Sequence, residues 1–227
     1  MPNSLVVVGA GGLGREVVET VRAVNAVSTT WNLHGFIDDD TSLPSEIDGV
    51  PVLGTTSALS EMPPDVSVAV CVGRPGRNWS RKQVVATLDL PADRHATIVH
   101  PSAIIPPTSR LGAGSIVLAG VIATTAVTVG AHVVVMPGTI LTHDDLVGDF
   151  VTFGAGVRLA GGVTVEEGAY LGAGALVRED RTIGRWSLVG MGAAVTTDIP
   201  AGEVWAGIPA RYLRSADVPP AIMGEGR

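Results

Sequence analysis

The chain has 227 residues, of which 46% are hydrophobic but only 4% aromatic, and its formal net charge is -7. This acidic balance argues against a general nucleic-acid-binding protein, which would present a basic face, and the one cysteine, Cys71, excludes an intramolecular disulfide and a cysteine zinc site. No apolar run has the length of a membrane span and no signal-like segment precedes the first predicted strand, so we expect a cytoplasmic protein without a membrane partner.

The first 98 residues predict a small Rossmann-like α/β domain, because short apolar runs alternate with helical stretches. The predicted elements are a strand at 5–8, a helix from 15 to about 26, strands at 33–37 and 66–72, a helix at 78–88 and a short strand at 97–99. This set is too small for the two halves of a dinucleotide-binding fold, so the domain suits one nucleotide better than a dinucleotide.

A glycine-rich turn, residues 9–14, joins the first strand to the first helix with the spacing Gly-x-Gly-x-x-Gly. At the start of a helix such a turn can bind phosphate through backbone N–H groups. Any tight turn between a strand and a helix also uses glycines, so the motif alone leaves a structural role open. Asp38 and Asp39 follow the second strand, where carboxylates can accept hydrogen bonds from a ribose or a base, and they favour ligand binding.

An unbroken hexapeptide repeat runs from Val99 to Val195, and every sixth residue in it is apolar without an insertion. The fourth position is most often Gly or Asp, which tolerate the positive φ of a tight corner, and the fifth is small or β-branched except at Asp145 and Arg181. Neither a helix nor a single strand has this period, whereas three short strands joined by corners make a triangular coil. We therefore predict a parallel β-helix domain at 99–214 with a C-terminal cap, and a flexible tail at 215–227.

Histidine is the side chain best suited to removing a proton near neutral pH. His143 stands out because it precedes Asp144 in the hexad where Asp145 interrupts the column of small residues. A neighbouring carboxylate can raise the basicity of an imidazole and hold its tautomer. We predict that His143 is a catalytic base, and a solvated turn histidine beside a corner aspartate is the alternative.

A metal enzyme of the γ-carbonic-anhydrase type would need three converging histidines. The histidines of the repeat, His100, His132 and His143, are spaced 32 and 11 residues apart, and neither spacing is a whole number of coils. We therefore expect no metal site. In the predicted cap, Arg211 and Arg214 can either cover the end of the solenoid or pair with phosphates of a ligand, and the sequence leaves both interpretations open.

Five segments resemble, in order, the group of sialic-acid O-acetyltransferases (NeuD) and UDP-amino-sugar N-acetyltransferases (PglD): residues 9–14, 35–39, 142–150, 159–163 and 207–211. The resemblance extends over essentially the whole chain apart from the tail. It implies a left-handed β-helix, acetyl-CoA as acyl donor, a nucleotide-linked sugar as acceptor, and a homotrimer whose active sites lie between neighbouring helices. It also implies a role in glycan biosynthesis.

The resemblance assigns roles to particular residues. It makes His143 the proton acceptor and Asp144 the residue that raises its basicity. It places the nucleotide sugar at Gly11, Gly12, Leu13, Asp38, Asp39 and Gly73, and acetyl-CoA at Thr152, Ala173 and Met191. We expect backbone N–H groups near Gly161 to stabilise the oxyanion of the thioester. Leu13 and Thr152 depart from the group, which usually carries histidine at these positions.

The sequence therefore favours an acetyl-CoA-dependent N-acetyltransferase acting on a UDP- or dTDP-linked amino sugar. His143 would remove the proton of the amine, and the acetyl group would pass directly to it without an acyl-enzyme. The alternatives are O-acetylation of a sugar such as sialic acid, the metal enzyme described above, and a scaffold that senses nucleotides without turnover.

Overall fold

A computed structural model describes residues 2–224, which form a front α/β domain followed by a β-helix. The front domain has a three-stranded parallel sheet in the order β2–β1–β5. Its elements are β1 (Asn3–Val8), α1 (Gly12–Val27), β2 (Trp31–Ile37), the short strands β3 (Glu46–Ile47) and β4 (Val50–Pro51), a 3-10 turn (Thr56–Glu61), β5 (Ser67–Val70), α2 (Ser80–Leu88) and a second 3-10 turn (Ala92–Arg94).

The Rossmann-like organisation predicted from the sequence is confirmed, with shifted boundaries. Helix α1 begins at Gly12, directly after the glycine turn, and α2 begins at Ser80. Strand β1 is completely buried from Leu5 to Val7 because the other two strands flank it. The central strand therefore carries the glycine turn at its carboxyl end, the edge at which parallel sheets bind ligands.

The predicted β-helix is confirmed, and its two-residue strands stack into three parallel sheets. The first face holds β7 (Arg110–Leu111), β10 (Thr128–Val129), β13 (Leu146–Val147), β16 (Thr164–Val165) and β19 (Thr182–Ile183). The second face holds β6 (Ile98–Val99), β8 (Ile116–Val117), β11 (Val134–Val135), β14 (Thr152–Phe153), β17 (Tyr170–Leu171) and β20 (Leu188–Val189). The third face holds β9 (Ile122–Ala123), β12 (Ile140–Leu141), β15 (Arg158–Leu159), β18 (Leu176–Val177) and β21 (Ala194–Val195).

Each strand pairs with the strand one coil later, so that residues 18 apart in sequence are neighbours, as Val129 and Val147 are. The repeated apolar residue of each hexad points into the prism, and these side chains form one continuous core of Val, Ile, Leu and Ala with Phe153. The interior is narrow, which is why a chain so poor in aromatic residues can fill it.

The corners of the coils form three edges that differ in their side chains. The glycine edge, between the second and third faces, consists of Gly120, Gly138, Gly156, Gly174 and Gly192. The aspartate edge, between the third and first faces, consists of Ala126, Asp144, Gly162 and Asp180. The aromatic edge, between the first and second faces, consists of Gly114, His132, Phe150, Gly168 and Trp186.

The aromatic edge departs from the expected preference for Gly and Asp, because His132, Phe150 and Trp186 hold a positive φ there. Two glycines make room for these rings: a Cβ added at Gly168 would overlap Trp186, and one added at Gly114 would overlap His132. His132 stacks on Phe150 and contacts His95 of the front domain, and Lys82 of α2 lies over the Trp186 ring. Burial of these rings therefore offsets the backbone strain.

Helix α2 joins the front domain to the aromatic edge. Arg81, only 1% exposed, donates hydrogen bonds to the carbonyl oxygens of His132 at 2.9 Å and Phe150 at 2.8 Å. Asn78 donates to the Gly168 carbonyl at 2.6 Å. These contacts place the carboxyl edge of the front sheet beside the second face of the β-helix.

The end of the β-helix is covered by β22 (Glu203–Ala206), β23 (Arg211–Ser215) and the short helix α3 (Pro220–Met223). Strand β22 pairs in parallel with β20, and β23 pairs antiparallel with β22. Of the segment predicted as a tail, Ala216 N–H donates to the Gly202 carbonyl at 2.7 Å, and the Trp79 side chain donates to the Asp217 carbonyl at 3.1 Å. Residues 225–227 of that prediction lie outside the described residues.

Candidate active site

A cavity of about 530 Å³ lies between the front domain and the second face of the β-helix. Leu13 and Gly73 line it from the front domain, and Thr152, Ala173 and Met191 line it from the β-helix. Residues predicted to bind the sugar nucleotide and residues predicted to bind acetyl-CoA are therefore brought to one space. Most of the exposed surface inside it is apolar, with side chains such as Met136 and Leu188 in the wall.

A second cavity of about 340 Å³ lies in the front domain next to the first. The two cavities share Gly12, Leu13 and Gly73 in their walls, so they adjoin each other. Its other walls include Gly11, at the start of α1, and Asp38. Exposed backbone at the start of a helix favours a phosphate group, so this cavity fits the nucleotide part of a ligand.

The two acidic residues at the end of β2 shape the loops around that cavity. Asp38 accepts a hydrogen bond from the Ala10 N–H at 2.8 Å, which fixes the glycine turn. Asp39 accepts hydrogen bonds from the N–H and the hydroxyl of Thr56, at 2.8 and 2.9 Å. Both line a smaller pocket of about 220 Å³ beside Gly9. The two carboxylates therefore fix the loops around the site by hydrogen bonds and also line the pocket.

Arg81 connects the two sides of the large cavity, although no motif in the sequence marks it as a site residue. Its guanidinium donates to the Thr152 hydroxyl at 2.8 Å and to the carbonyl of Val72, the residue before Gly73, at 3.2 Å. Burial lowers its pKa to about 10, and it remains a cation at neutral pH. The only sequence signal was that Arg81 lies three residues after Asn78 and four before Val85, so that all three share one face of a helix. Val85 packs on the front-domain core, so this face is the one turned inward.

His143 lies on the aspartate edge, where its Nδ1 is 2.9 Å from the Asp144 carboxylate. Both side chains are mostly exposed, at 64% and 70%. The imidazole lies against Gly161, one coil later, and a Cβ added at Gly161 would overlap its Cε1 and Nε2 atoms. The structure therefore brings three of the predicted site residues, His143, Asp144 and Gly161, close together.

This histidine group is separate from the cavity. The aspartate edge is the edge opposite the second face, and His143, Asp144 and Gly161 line neither of the two larger cavities just described. Within one chain the candidate base and the candidate ligand space are on different sides of the prism.

Asp145 is fully buried beneath the His143 corner. Its two carboxylate oxygens accept hydrogen bonds from the N–H of Thr142 at 2.8 Å and of Val163 at 2.9 Å. Burial raises its pKa to about 6 even though both N–H donors favour the ionised form. The break in the column of small residues is thus explained by a buried acceptor of two backbone hydrogen bonds.

The other histidines of the repeat have structural surroundings. His132 stacks on Phe150, with ring centroids 5.1 Å apart, and contacts His95 edge-on at 4.6 Å. His100 is paired with the Ser102 hydroxyl at 2.8 Å. Across residues 2–224, no group of three or more His, Cys, Asp or Glu side chains is placed to hold a metal ion. None of the helices in that range is long and apolar enough to cross a bilayer.

Comparisons with known proteins agree with this arrangement. Residues 4–88 match the family described as the PglD N-terminal domain. The acetyltransferase domain of PglB from Neisseria gonorrhoeae FA1090, solved with acetyl coenzyme A, is 30% identical, with a TM-score of 0.80 over 94% of this chain and 100% of that one. PerB from Caulobacter crescentus, solved with CoA and GDP-perosamine, is 31% identical, with a TM-score of 0.80 over 92% and 97% of the two chains.

WeeI from Acinetobacter baumannii AYE is 28% identical, with a TM-score of 0.81 over 92% of this chain and 99% of that one. No curated protein sequence matches the chain. The likeness to the three solved structures covers both the front domain and the β-helix, so it concerns the whole arrangement around the cavity.

Proposed function

This chain belongs to the PglD/NeuD-like family of sugar acetyltransferases, and on that premise we propose that it acetylates the amino group of a nucleotide-linked amino sugar. The enzyme is an acyltransferase and acetyl-CoA is its acyl donor. Support for the acceptor comes from PerB, which is solved with CoA and GDP-perosamine. The observation that carries the proposal is the cavity of about 530 Å³ shared by the glycine turn and the second face.

We propose that the two ligands meet in this cavity. The nucleotide occupies the smaller space at Gly11 and Gly12, where the start of α1 favours its diphosphate. The sugar then extends past Leu13 and Gly73 into the larger space. Acetyl-CoA lies along the second face, in contact with Thr152, Ala173 and Met191.

The neighbouring glycine edge leaves room for a long cofactor. Nothing lies within 4 Å of a Cβ built at Gly138, Gly156, Gly174 or Gly192. This bare edge borders Ala173 and Met191, so it also offers a surface on which a second copy of the chain can pack.

We propose that the base comes from that second copy, in a homotrimer. The chain's own His143 is on the opposite edge from the cavity, so it cannot reach a sugar bound there. Three copies packed around an axis would place the aspartate edge of one prism beside the glycine edge of the next. Each site then has its ligand space from one chain and its base from a neighbour.

The chemistry follows from the pair of His143 and Asp144. Asp144 accepts a hydrogen bond from Nδ1–H of His143, and this tautomer leaves Nε2 free to take a proton from the amine. The amine nitrogen attacks the thioester carbonyl, and backbone N–H groups near Gly161 stabilise the oxyanion. The intermediate collapses to the amide and releases the CoA thiolate, which can recover the proton from His143.

Replacing His143 with Ala tests this role. We expect the rate of acetyl transfer to fall by about a hundredfold or more, because general base catalysis is lost. The assembly and acetyl-CoA binding should be retained, since the side chain is exposed. Sedimentation and steady-state kinetics measure both, with His34→Ala, an exposed histidine of the front domain, as the matched control. An unchanged rate in His143→Ala would remove the base from its role.

The acceptor is identified by thermal shift with UDP-, dTDP- and GDP-linked amino sugars, since a ligand that binds only the folded state raises the melting temperature. Mass spectrometry of the product before and after mild alkali then separates the reactions. An N-acetyl amide survives the treatment, whereas an O-acetyl ester is hydrolysed. A product that loses its acetyl group would contradict N-acetylation.

A further inference from the structure

Asp145 occupies a column of side chains that runs inside the aspartate edge. In this column Ser109 accepts one hydrogen bond, at 3.2 Å, from the N–H of Val127 in the next coil. Asp145 accepts the equivalent hydrogen bond, from Val163, through Oδ1. Its second oxygen adds a contact that a serine hydroxyl does not make here, since Oδ2 accepts from Thr142 within its own coil.

These two hydrogen bonds hold both sides of the contact between His143 and Gly161. Thr142 immediately precedes His143, and Val163 lies two residues after Gly161. The imidazole packs against Gly161, which is itself buried. A shift of either coil would therefore change the position of the ring relative to the backbone below it.

We propose that Asp145 is a positioning residue for acetyl transfer, because it fixes the His143 corner to the Gly161 coil and so holds the imidazole in its working orientation. The inference rests on the proposed function, since Asp145 acts only through His143. Asp145 itself is fully buried and touches no ligand space.

The surroundings of Asp145 make a carboxylate costly for stability at this position. The residues of the column one coil before and after it are Val127 and Val163, both fully buried. A carboxylate buried among apolar side chains is unfavourable unless its hydrogen bonds offset the loss of water. Burial raises the pKa of Asp145 to about 6, so that most of the Asp145 side chains in a population are ionised at neutral pH. A serine would keep the bond to Val163 without burying a charge.

The test is Asp145→Ser, compared with wild type, Ser109→Ala and His143→Ala in the full chain. We expect kcat to fall about tenfold, since the imidazole loses its fixed geometry, while KM for acetyl-CoA and for the sugar nucleotide stays unchanged. The melting temperature should not fall. Ser109→Ala removes one bond of the same column two coils from His143 and should keep full kcat.

Two results would overturn the proposal: a wild-type kcat in Asp145→Ser, or a loss of kcat that comes only with a lower melting temperature and raised KM values. If the serine variant does not fold, Asp145→Asn serves instead, because its single amide oxygen cannot accept both N–H groups in the same way. A wild-type enzyme that acetylates none of the nucleotide-linked amino sugars would contradict the proposed function itself, whereas a fully active His143→Ala would remove the base through which Asp145 is proposed to act. An inactive His143→Ala beside a fully active Asp145→Ser would sink only the positioning role.

Discussion

Gly161 and His143 lie 18 residues apart, so they are neighbours on successive coils of the aspartate edge. Unlike the next residue, Gly162, with a φ of 71°, Gly161 does not have a positive φ. Its backbone would accept a larger residue. What excludes a larger residue is the imidazole of His143, which occupies the space where a Cβ would be.

Gly161→Ala should therefore damage catalysis without damaging the fold. The added methyl group forces the exposed ring of His143 to rotate away, and we expect kcat to fall about tenfold or more. The melting temperature should stay within about 2 °C of wild type, because an exposed side chain can move at little cost. Steady-state kinetics and thermal unfolding measure the two effects.

A double-mutant cycle with His143→Ala is the control for Gly161→Ala. Once the ring is absent, the methyl group has nothing to displace, so it should cause no further loss of kcat. Additive losses in the double variant would show that Gly161 acts independently of His143.

Most of the candidate site could be predicted at this scale, and the failures have a physical cause. His143 and Asp144 are adjacent in sequence, and Gly161 is one coil away, so a strict repeat brings them together. Arg81 was missed because its role depends on how α2 packs against the β-helix, and no periodic pattern encodes the distance from Arg81 to Thr152. Asp145 was noticed as an exception, but its two hydrogen bonds needed coordinates.

Among the elements, α2 connects the two sides of the site, because its Arg81 joins the residue before Gly73 to strand β14. A single buried guanidinium makes this connection by donating to backbone oxygens of both domains and to the Thr152 hydroxyl. The hydrogen bonds that Arg81 donates to these carbonyl groups are buried or partly buried. The helix is therefore held in one position against the aromatic edge.

Arg81→Met should lower the free energy of unfolding by about 2–4 kcal/mol, because several buried carbonyl groups lose their donor at once. It should also raise KM for acetyl-CoA, since Thr152 is no longer oriented. Chemical denaturation and initial-rate kinetics check both effects. Arg22→Met, which removes an exposed cation on α1, should change stability by no more than about 0.5 kcal/mol. Equal effects of the two substitutions would contradict the role given to Arg81.

The elements of the β-helix were predictable because each hexad supplies its own strand, corner and core residue. The aromatic edge was not. A positive φ at His132, Phe150 and Trp186 is unfavourable locally and persists only because the rings are packed between the coils and the front domain. Such a contact between distant parts of the chain leaves no local pattern in the sequence.

At the scale of the whole molecule, the front domain and the β-helix meet at a buried pair of histidines. His95 follows the last 3-10 turn of the front domain, and His132 lies on the aromatic edge. The Nδ1 atoms of both rings are buried without a hydrogen-bond partner. The interface is therefore suited to neutral imidazoles and would be weakened by protonation.

Acidification should weaken this interface through His132. Burial, reinforced by His95 and Arg81, lowers the pKa of His132 to about 4, against about 6.5 in an unfolded chain. The unfolded state therefore binds the proton first as the pH falls, and stability is lost between about pH 6.5 and pH 4. Melting temperatures of wild type and His132→Asn across this range measure the effect.

We expect the difference in stability between wild type and His132→Asn to shrink by about 2–3 kcal/mol as the pH falls from 7 to 4. Taking this difference cancels the contributions of the other titrating groups to the pH dependence. One of them is Asp145, whose raised pKa makes the folded state more stable as the pH falls. A difference that stays constant with pH would show that His132 does not control the interface.

The stacking of the coils also sets rules for changes in chain length. The core requires an apolar residue at every sixth position, so the insertion of one complete hexad before residue 143 would leave the interior filled. It would nevertheless carry His143 to a different edge, because an edge recurs only after 18 residues. Insertions of six residues are thus compatible with folding, whereas only insertions of a complete coil also keep His143 on its edge and preserve activity. Active homologues that differ in length should therefore differ by entire turns of the prism.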